Sequence, residues 1–120
     1  FNELNASSAG NVYYATNKNV YVTEYLTEPT NRYLLFVKTK VNDLETDYSY
    51  IYFQNKNELV GLLNTILRSI DKQKDITYKI SNNQFTIVSI TKNLSKIRYG
   101  NIVFSMDRQT TNEIINQFLK

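Results

Sequence analysis

Tyr48-Ser49-Tyr50-Ile51-Tyr52-Phe53-Gln54-Asn55-Lys56-Asn57-Glu58-Leu59 is the stretch on which the fold turns. Its tyrosines at 48, 50 and 52 alternate with Ser49, Ile51 and Phe53, the period of two that gives a strand two unlike faces. Asn55, with Glu58 three residues on, has the spacing of a capping box, in which two side chains satisfy free backbone donors at a helix start. Beyond it Leu59, Leu62, Leu63, Ile66, Leu67 and Ile70 recur at helical spacing. One continuous apolar stripe must therefore cover a sheet.

Upstream, Phe1–Asn11 is rich in Asn, Ser and Ala without periodicity and reads as a loose lead-in. Val12–Thr16 reads as a short strand ended by the Asn17-Lys18-Asn19 turn. Val20–Glu28 is a clearer one, with Val20, Val22 and Leu26 opposite Tyr21, Thr23, Tyr25 and Thr27. Pro29 marks a hairpin loop before a partner strand, Arg32–Val41, with Tyr33, Leu35, Val37 and Val41 on one side. Asn42–Asp47 is a polar, acidic loop.

Downstream of the helix, Asp71–Asp75 is a charged link. Ile76–Ser81 and Gln84–Thr91 read as a hairpin about Asn82-Asn83. Lys92–Lys96 is a basic loop, and Ile97–Met106 is a strand that a turn at Tyr99-Gly100-Asn101 would split in two. Thr110 with Glu113 reads as a second capping box, and Ile114, Ile115, Phe118 and Leu119 as the buried face of a terminal helix.

An offset of 52 residues lays Ile51 on Val103, Tyr52 on Phe104, Leu62-Leu63 on Ile114-Ile115 and Ile66-Leu67 on Phe118-Leu119. Hairpin, strand and helix thus occur twice, an internal repeat of plan. The expected architecture is one α+β domain over residues 1–120: lead-in 1–11, first unit 12–71, second unit 76–120. Its antiparallel sheet of six to eight strands would carry two helices packed on one face. Tyr48–Gln54 and Ile97–Met106 would share that sheet, each covered by the helix that follows it. The open edge would fall at Val12–Thr16 or Val20–Glu28, where a partner would add a strand.

Composition narrows the chemistry. Apolar residues make up 42% of the 120, ordinary for a folded domain, and no apolar run reaches the ~18 residues of a membrane span. The chain contains no cysteine, hence no disulfide, thiolate nucleophile or soft metal site. It contains no histidine, the usual general base near neutrality and the commonest metal ligand. None of its three glycines forms a phosphate-cradling loop. Asp43, Glu45 and Asp47 cluster without the glycine scaffold of a calcium loop. The sequons Asn5-Ala6-Ser7 and Asn93-Leu94-Ser95 are of a kind that arises by chance in so Asn-rich a chain. No catalysis, cofactor or metal is expected.

What remains is a surface for binding. Net charge is +3, but residues 1–60 hold five basic and seven acidic side chains, and residues 61–120 nine and four. The second half is therefore the basic one. Tyr48, Tyr50 and Tyr52 form a row on which unpaired bases would stack, extended by Tyr33 or Tyr25, with Lys38, Lys40, Lys79 and Arg98 near phosphates. The same tyrosines equally suit cross-strand packing that simply covers a sheet.

The order of elements resembles an uncharacterised type of bacterial domain, often carried by exported proteins. In that type a hairpin precedes a strand and a helix that begins with an acidic residue followed by Leu-Ile-x-x-Leu. Here Glu58-Leu59-Val60-Gly61-Leu62-Leu63 stands in the first helix, Ile76–Thr91 in the second hairpin, and Val103–Leu119 in the closing strand and helix. The resemblance covers residues 20–120. It implies a fold and an extracytoplasmic place, and a start at Phe1 rather than Met fits a processed or trimmed form. The plan also resembles Whirly and PUR-repeat single-stranded nucleic-acid binders, which place several strands before a helix, twice over. The leading expectation is thus a non-catalytic binding or structural module, exported and working through protein partners. The alternative is a single-stranded nucleic-acid-binding protein of Whirly/PUR-like type.

Overall fold

Period-two alternation sorts the strand side chains into inner and outer sets, and two four-stranded antiparallel sheets result. A computed structural model of the chain describes residues 8–14, 20–26, 31–40, 46–80 and 83–118. The first sheet has the order β1 (Ser8–Tyr14), β2 (Val20–Leu26), β3 (Arg32–Lys40), β4 (Thr46–Phe53). The second has the order β5 (Ile76–Ile80), β6 (Asn83–Ser89), β7 (Leu94–Tyr99), β8 (Ile102–Asp107). Helix α1 (Lys56–Lys72) follows β4 and α2 (Arg108–Phe118) follows β8. Four strands and a helix therefore occur twice.

One core joins the two units. Val20, Val22, Leu35, Val37, Ile51 and Phe53 of the first sheet meet Phe85, Ile87, Ile97, Phe104 and Met106 of the second, with Leu59, Leu62, Leu63 and Ile66 of α1 and Ile114, Ile115 and Phe118 of α2 among them. The buried positions of α1 also include Thr65 and Ser69. At 3.6 residues per turn they sweep an arc of roughly 160°, wider than the ~100° stripe that suffices for one sheet. Accordingly α1 lies against β5, β6 and β7 as well as β3 and β4, and α2 against β1 and β2 as well as β8.

That arc explains why a single sheet of six to eight strands does not form. The α+β class, the antiparallel pairing and the two helices stand, but the strands divide four and four. Strand β4 and strands β7–β8 lie in different sheets, and each helix bridges to the strands of the other unit instead of covering only its own. Strand β2 is paired on both sides, by β1 and β3, which removes Val20–Glu28 as a site of strand addition. Strand β1 begins at Ser8, inside the stretch read as lead-in.

Three local features refine the reading of the sequence, the first by realising the turn at Tyr99-Gly100-Asn101. Gly100 takes φ +60 at the first position of a two-residue turn, so Tyr99 faces Ile102 and the long strand splits into β7 and β8. Glycine adopts that angle at no steric cost. The second hairpin is in register with Ile80 opposite Asn83, so Asn83 is a strand residue. Helix α2 starts three residues earlier than a cap at Thr110 requires. Its cap is Asp107, whose Oδ1 accepts from the Thr110 N–H at 2.7 Å. Consequently the 52-residue offset aligns the helices but not the strands: Ile51 and Phe104 are buried, whereas Tyr52 and Val103 are exposed.

Candidate functional site

In β4 the parity that buries Ile51 and Phe53 turns Tyr48, Tyr50 and Tyr52 outward, where they are 40%, 47% and 41% exposed. Antiparallel register sets Tyr50 beside Phe36 and Phe36 beside Tyr21, forming an aromatic row across three strands. Tyr21 and Phe36 stack at 4.7 Å and 8°. Phe36 and Tyr50 lie 6.0 Å apart, and Tyr21 meets Tyr48 edge-on at 5.4 Å. Leu34, in register with Tyr52 on this face, is fully buried. The tyrosines thus have an apolar, fixed base and outward rings. Stacking of this kind holds a ring at its angle and reduces the entropy lost on contact with a ligand.

Tyr33 does not extend the row. It points into the core, where its hydroxyl donates to Glu24 Oε2 at 2.7 Å and its ring sits edge-on to Phe118 at 5.9 Å. Asn31 Nδ2 donates to the same oxygen at 3.3 Å. Burial first, then the hydrogen bond and charge of Glu24, push the Tyr33 phenol well above its ordinary range. Tyr25 shares the outer side of β2 with Tyr21 and pairs with Arg32.

The cations divide between the sheets. Lys38 is exposed and in register with Tyr48, so it flanks the row. Lys40 ends β3 opposite Thr46, its side chain outside the described residues. Lys79 and Arg98 lie on the outer face of the second sheet, Lys79 beside Gln84 and Arg98 between Thr86 and Val103. There, Thr86, Val88, Ile90, Lys96, Arg98 and Val103 line an open groove of about 470 Å³. The structure thus gathers Tyr48, Tyr50, Tyr52 and Lys38 and sets Lys79 and Arg98 elsewhere. Phe36 and Lys96 were missed, although the alternation in β3 that buries Leu35 and Val37 turns Phe36 and Lys38 out together.

Among the described strand side chains, carboxylates are few on the outer faces. Of the acids in described strands, Glu24 is buried among core residues and Asp107 caps α2, while the Asp47 side chain lies outside the described residues. The outward strand charges are otherwise Arg32, Lys38, Lys79, Lys96 and Arg98. Arg32 Nη1 donates to the Gln54 carbonyl at 3.2 Å, tying β3 to the end of β4.

The helix ends secure these sheets. Asn55 Oδ1 accepts from Glu58 N–H at 2.9 Å, and Glu58 Oε1 accepts from Gln54 N–H at 3.2 Å, so the reciprocal bond falls one residue before the cap. At the far end Ser69 Oγ donates to the Lys74 carbonyl and accepts from Ser95 Oγ, joining α1 to β7. Tyr78 packs over Gly61, where a Cβ would collide with its hydroxyl and ring. That hydroxyl donates to the Glu58 carbonyl at 2.8 Å. Burial, then the Glu58 charge, raise the Tyr78 pKa.

Among the described residues no three His, Cys, Asp or Glu side chains gather at metal-binding range. Asp43 and Glu45 lie outside them. No described helix is long and apolar enough to cross a membrane. No family model, curated protein or solved structure matches the chain.

Proposed function

We propose that this chain is a non-catalytic binding module whose working surface is the outer face of the first sheet, and that its ligand class is single-stranded nucleic acid. The observation that carries this is the row Tyr48, Tyr50 and Tyr52, some two-fifths or more exposed on a base of Phe36, Tyr21 and Leu34. Aromatic faces on a sheet stack unpaired bases with little sequence preference, and cations without nearby carboxylates suit phosphates. Lys38 stands beside the row, and among the described strand side chains the outward charges of both sheets are cationic apart from the capping Asp107. Four strands before each helix, in both halves, also fit the Whirly and PUR-repeat plan. A chain without histidine or cysteine is poorly equipped for catalysis.

The test is fluorescence anisotropy with labelled single-stranded and duplex oligonucleotides. Single strands should bind, with affinity falling steeply from low to physiological salt. Tyr50→Ala or Tyr52→Ala should weaken binding by about 1–3 kcal/mol, the usual worth of one base–aromatic stack. No binding at low salt would remove this reading.

A second reading, an exported module with a protein partner, draws on the groove of the second sheet. The exposed Ile90 and Val103 and the half-buried Val88 form an aliphatic patch there, between Lys96 and Arg98. A patch of that composition suits an acidic, apolar partner surface. Substituting Ile90 or Arg98 would then abolish partner binding while leaving the tyrosine face intact.

A further inference from the structure

We propose that two copies of this chain pair through β4, edge to edge and antiparallel about Tyr50, to make one continuous eight-stranded sheet. Among the described strands, β1, β4, β5 and β8 end their sheets, and three of the four carry a device against edge pairing. Strand β1 is broken by a register shift between Ala9 and Val12. Strand β5 is five residues long and carries Lys79. Strand β8 lies against β3 of the other sheet and ends in Asp107. Bulges, lysines, short length and cover are the usual means of blunting an edge. Among the described residues strand β4 shows no bulge, no lysine and no shortening. It is the longest of the four at eight residues, holds no lysine, proline or register shift, and bears one charge, Asp47, near its start.

The occupant is a second copy because the strand is complementary to itself. Side chains opposed across an antiparallel pair must share a face, which limits the registers that a two-fold axis permits. An axis through Tyr50 sets Tyr50 against its own copy, Tyr48 against Tyr52 and Ser49 against Ile51. It keeps every tyrosine on the outer side and every core residue on the inner. The stretch Tyr48-Ser49-Tyr50-Ile51-Tyr52 reads almost alike in both directions and is uncharged, so the copies meet without like-charge repulsion. Pairs of aromatics on the outer side would add cross-strand contacts to the ladder. The pairing would also join two tyrosine rows into one surface, whatever that surface binds.

The chain has no cysteine, so an introduced one reports the register directly. Opposed Cα atoms in an antiparallel pair lie about 4.5–5.5 Å apart, within the ~4.4–6.8 Å that a disulfide spans. On mild oxidation of the full chain without ligand, Tyr50→Cys should cross-link into dimers. Tyr48→Cys should not, and Tyr48→Cys combined with Tyr52→Cys should. Light scattering of the unmodified chain should show mass doubling as concentration rises, and Tyr50→Lys, which opposes two like charges at the axis, should hold it at the monomer. A monomer at every concentration, or Tyr48→Cys linking as readily as Tyr50→Cys, overturns the proposal. The cysteine set stands on its own should Tyr50→Lys fail to fold.

Discussion

Strand β4 passes into α1 through Gln54 and Asn55, whereas β8 passes into α2 with no residue between them. In the first junction a separate residue caps the helix. In the second Asp107 both ends the strand and caps the helix. The two units thus solve one topological problem with linkers of different length, and their inner faces still converge on one core. Their outer faces do not converge: one is aromatic, with Lys38 at its margin, and the other is aliphatic, with Lys79, Lys96 and Arg98. Core packing constrains the inner positions alone. The outer ones are free to differ, and it is there that the two units part in chemistry.

The largest effects should come where the units share a core. Leu63→Ala and Ile114→Ala, one in each helix and both fully buried, should each cost about 2–5 kcal/mol. Both should shift a single urea transition seen alike by circular dichroism and tyrosine fluorescence. Separate transitions for the two halves would break the comparison.

Next come Tyr33, buried in the first unit, and Tyr78, half-buried in the second. Tyr33→Phe removes the 2.7 Å hydrogen bond to Glu24 and should cost about 1–3 kcal/mol at neutral pH. The raised pKa of Tyr33 adds a pH dependence whose sign is fixed. The unfolded chain releases the phenolic proton near pH ~10 while the folded chain keeps it, so the contribution is whole below that pH and is lost as pH rises towards the folded value. Stability above pH ~10 should therefore fall more steeply in the unmodified chain than in Tyr33→Phe. Tyr78→Phe should flatten the same limb for the same reason, and equal slopes in all three proteins would contradict both assignments.

Gly61→Ala sharpens the contrast further, because the first unit makes room for a residue of the second. The new methyl displaces Tyr78, an overpacking cost of about 1–3 kcal/mol, set against the ~1 kcal/mol that alanine gains in a helix. In a Tyr78→Phe background, where the hydroxyl is gone, the same substitution should cost less; thermal melts of the four proteins give the coupling.

The smallest effects belong to the caps. Asn55→Ala and Asp107→Ala should each cost about 1 kcal/mol. Asp107 should cost more, since α2 has eleven residues and no acid in its first turn, whereas α1 has seventeen and keeps Glu58 there. Chemical denaturation of the pair suffices to rank them.

Much of this was legible in the chain. Alternation in β2, β3 and β4 and the helical spacing of Leu59 to Ile70 placed the elements, and Gly100 marked the turn that divides β7 from β8. The outward parity of Tyr48, Tyr50 and Tyr52 follows from Ile51 and Phe53 alone. So does the inward side of Tyr33, which shares its alternation with Leu35 and Val37 and so never belonged with the exposed row. The division into two sheets was not legible, because periodicity tells which face of a strand is apolar and not which strand ends a sheet. The width of the α1 stripe was the available clue: Thr65 and Ser69 extend it, and polar residues are passed over when apolar ones are counted. The separation of Lys79 and Arg98 from the tyrosines followed from the same unseen boundary.

The exchange of helices between units has a consequence for how the chain is made. Until α2 is complete, β1 and β2 lack the helix that covers them, and until β5–β7 are in place α1 has no second sheet to enclose its wider side. Neither half can finish its own interior. Contacts between residues so distant in sequence close after the local hairpins have formed. A cut at residues 73–75 should leave two pieces that stay open apart and assemble only when mixed.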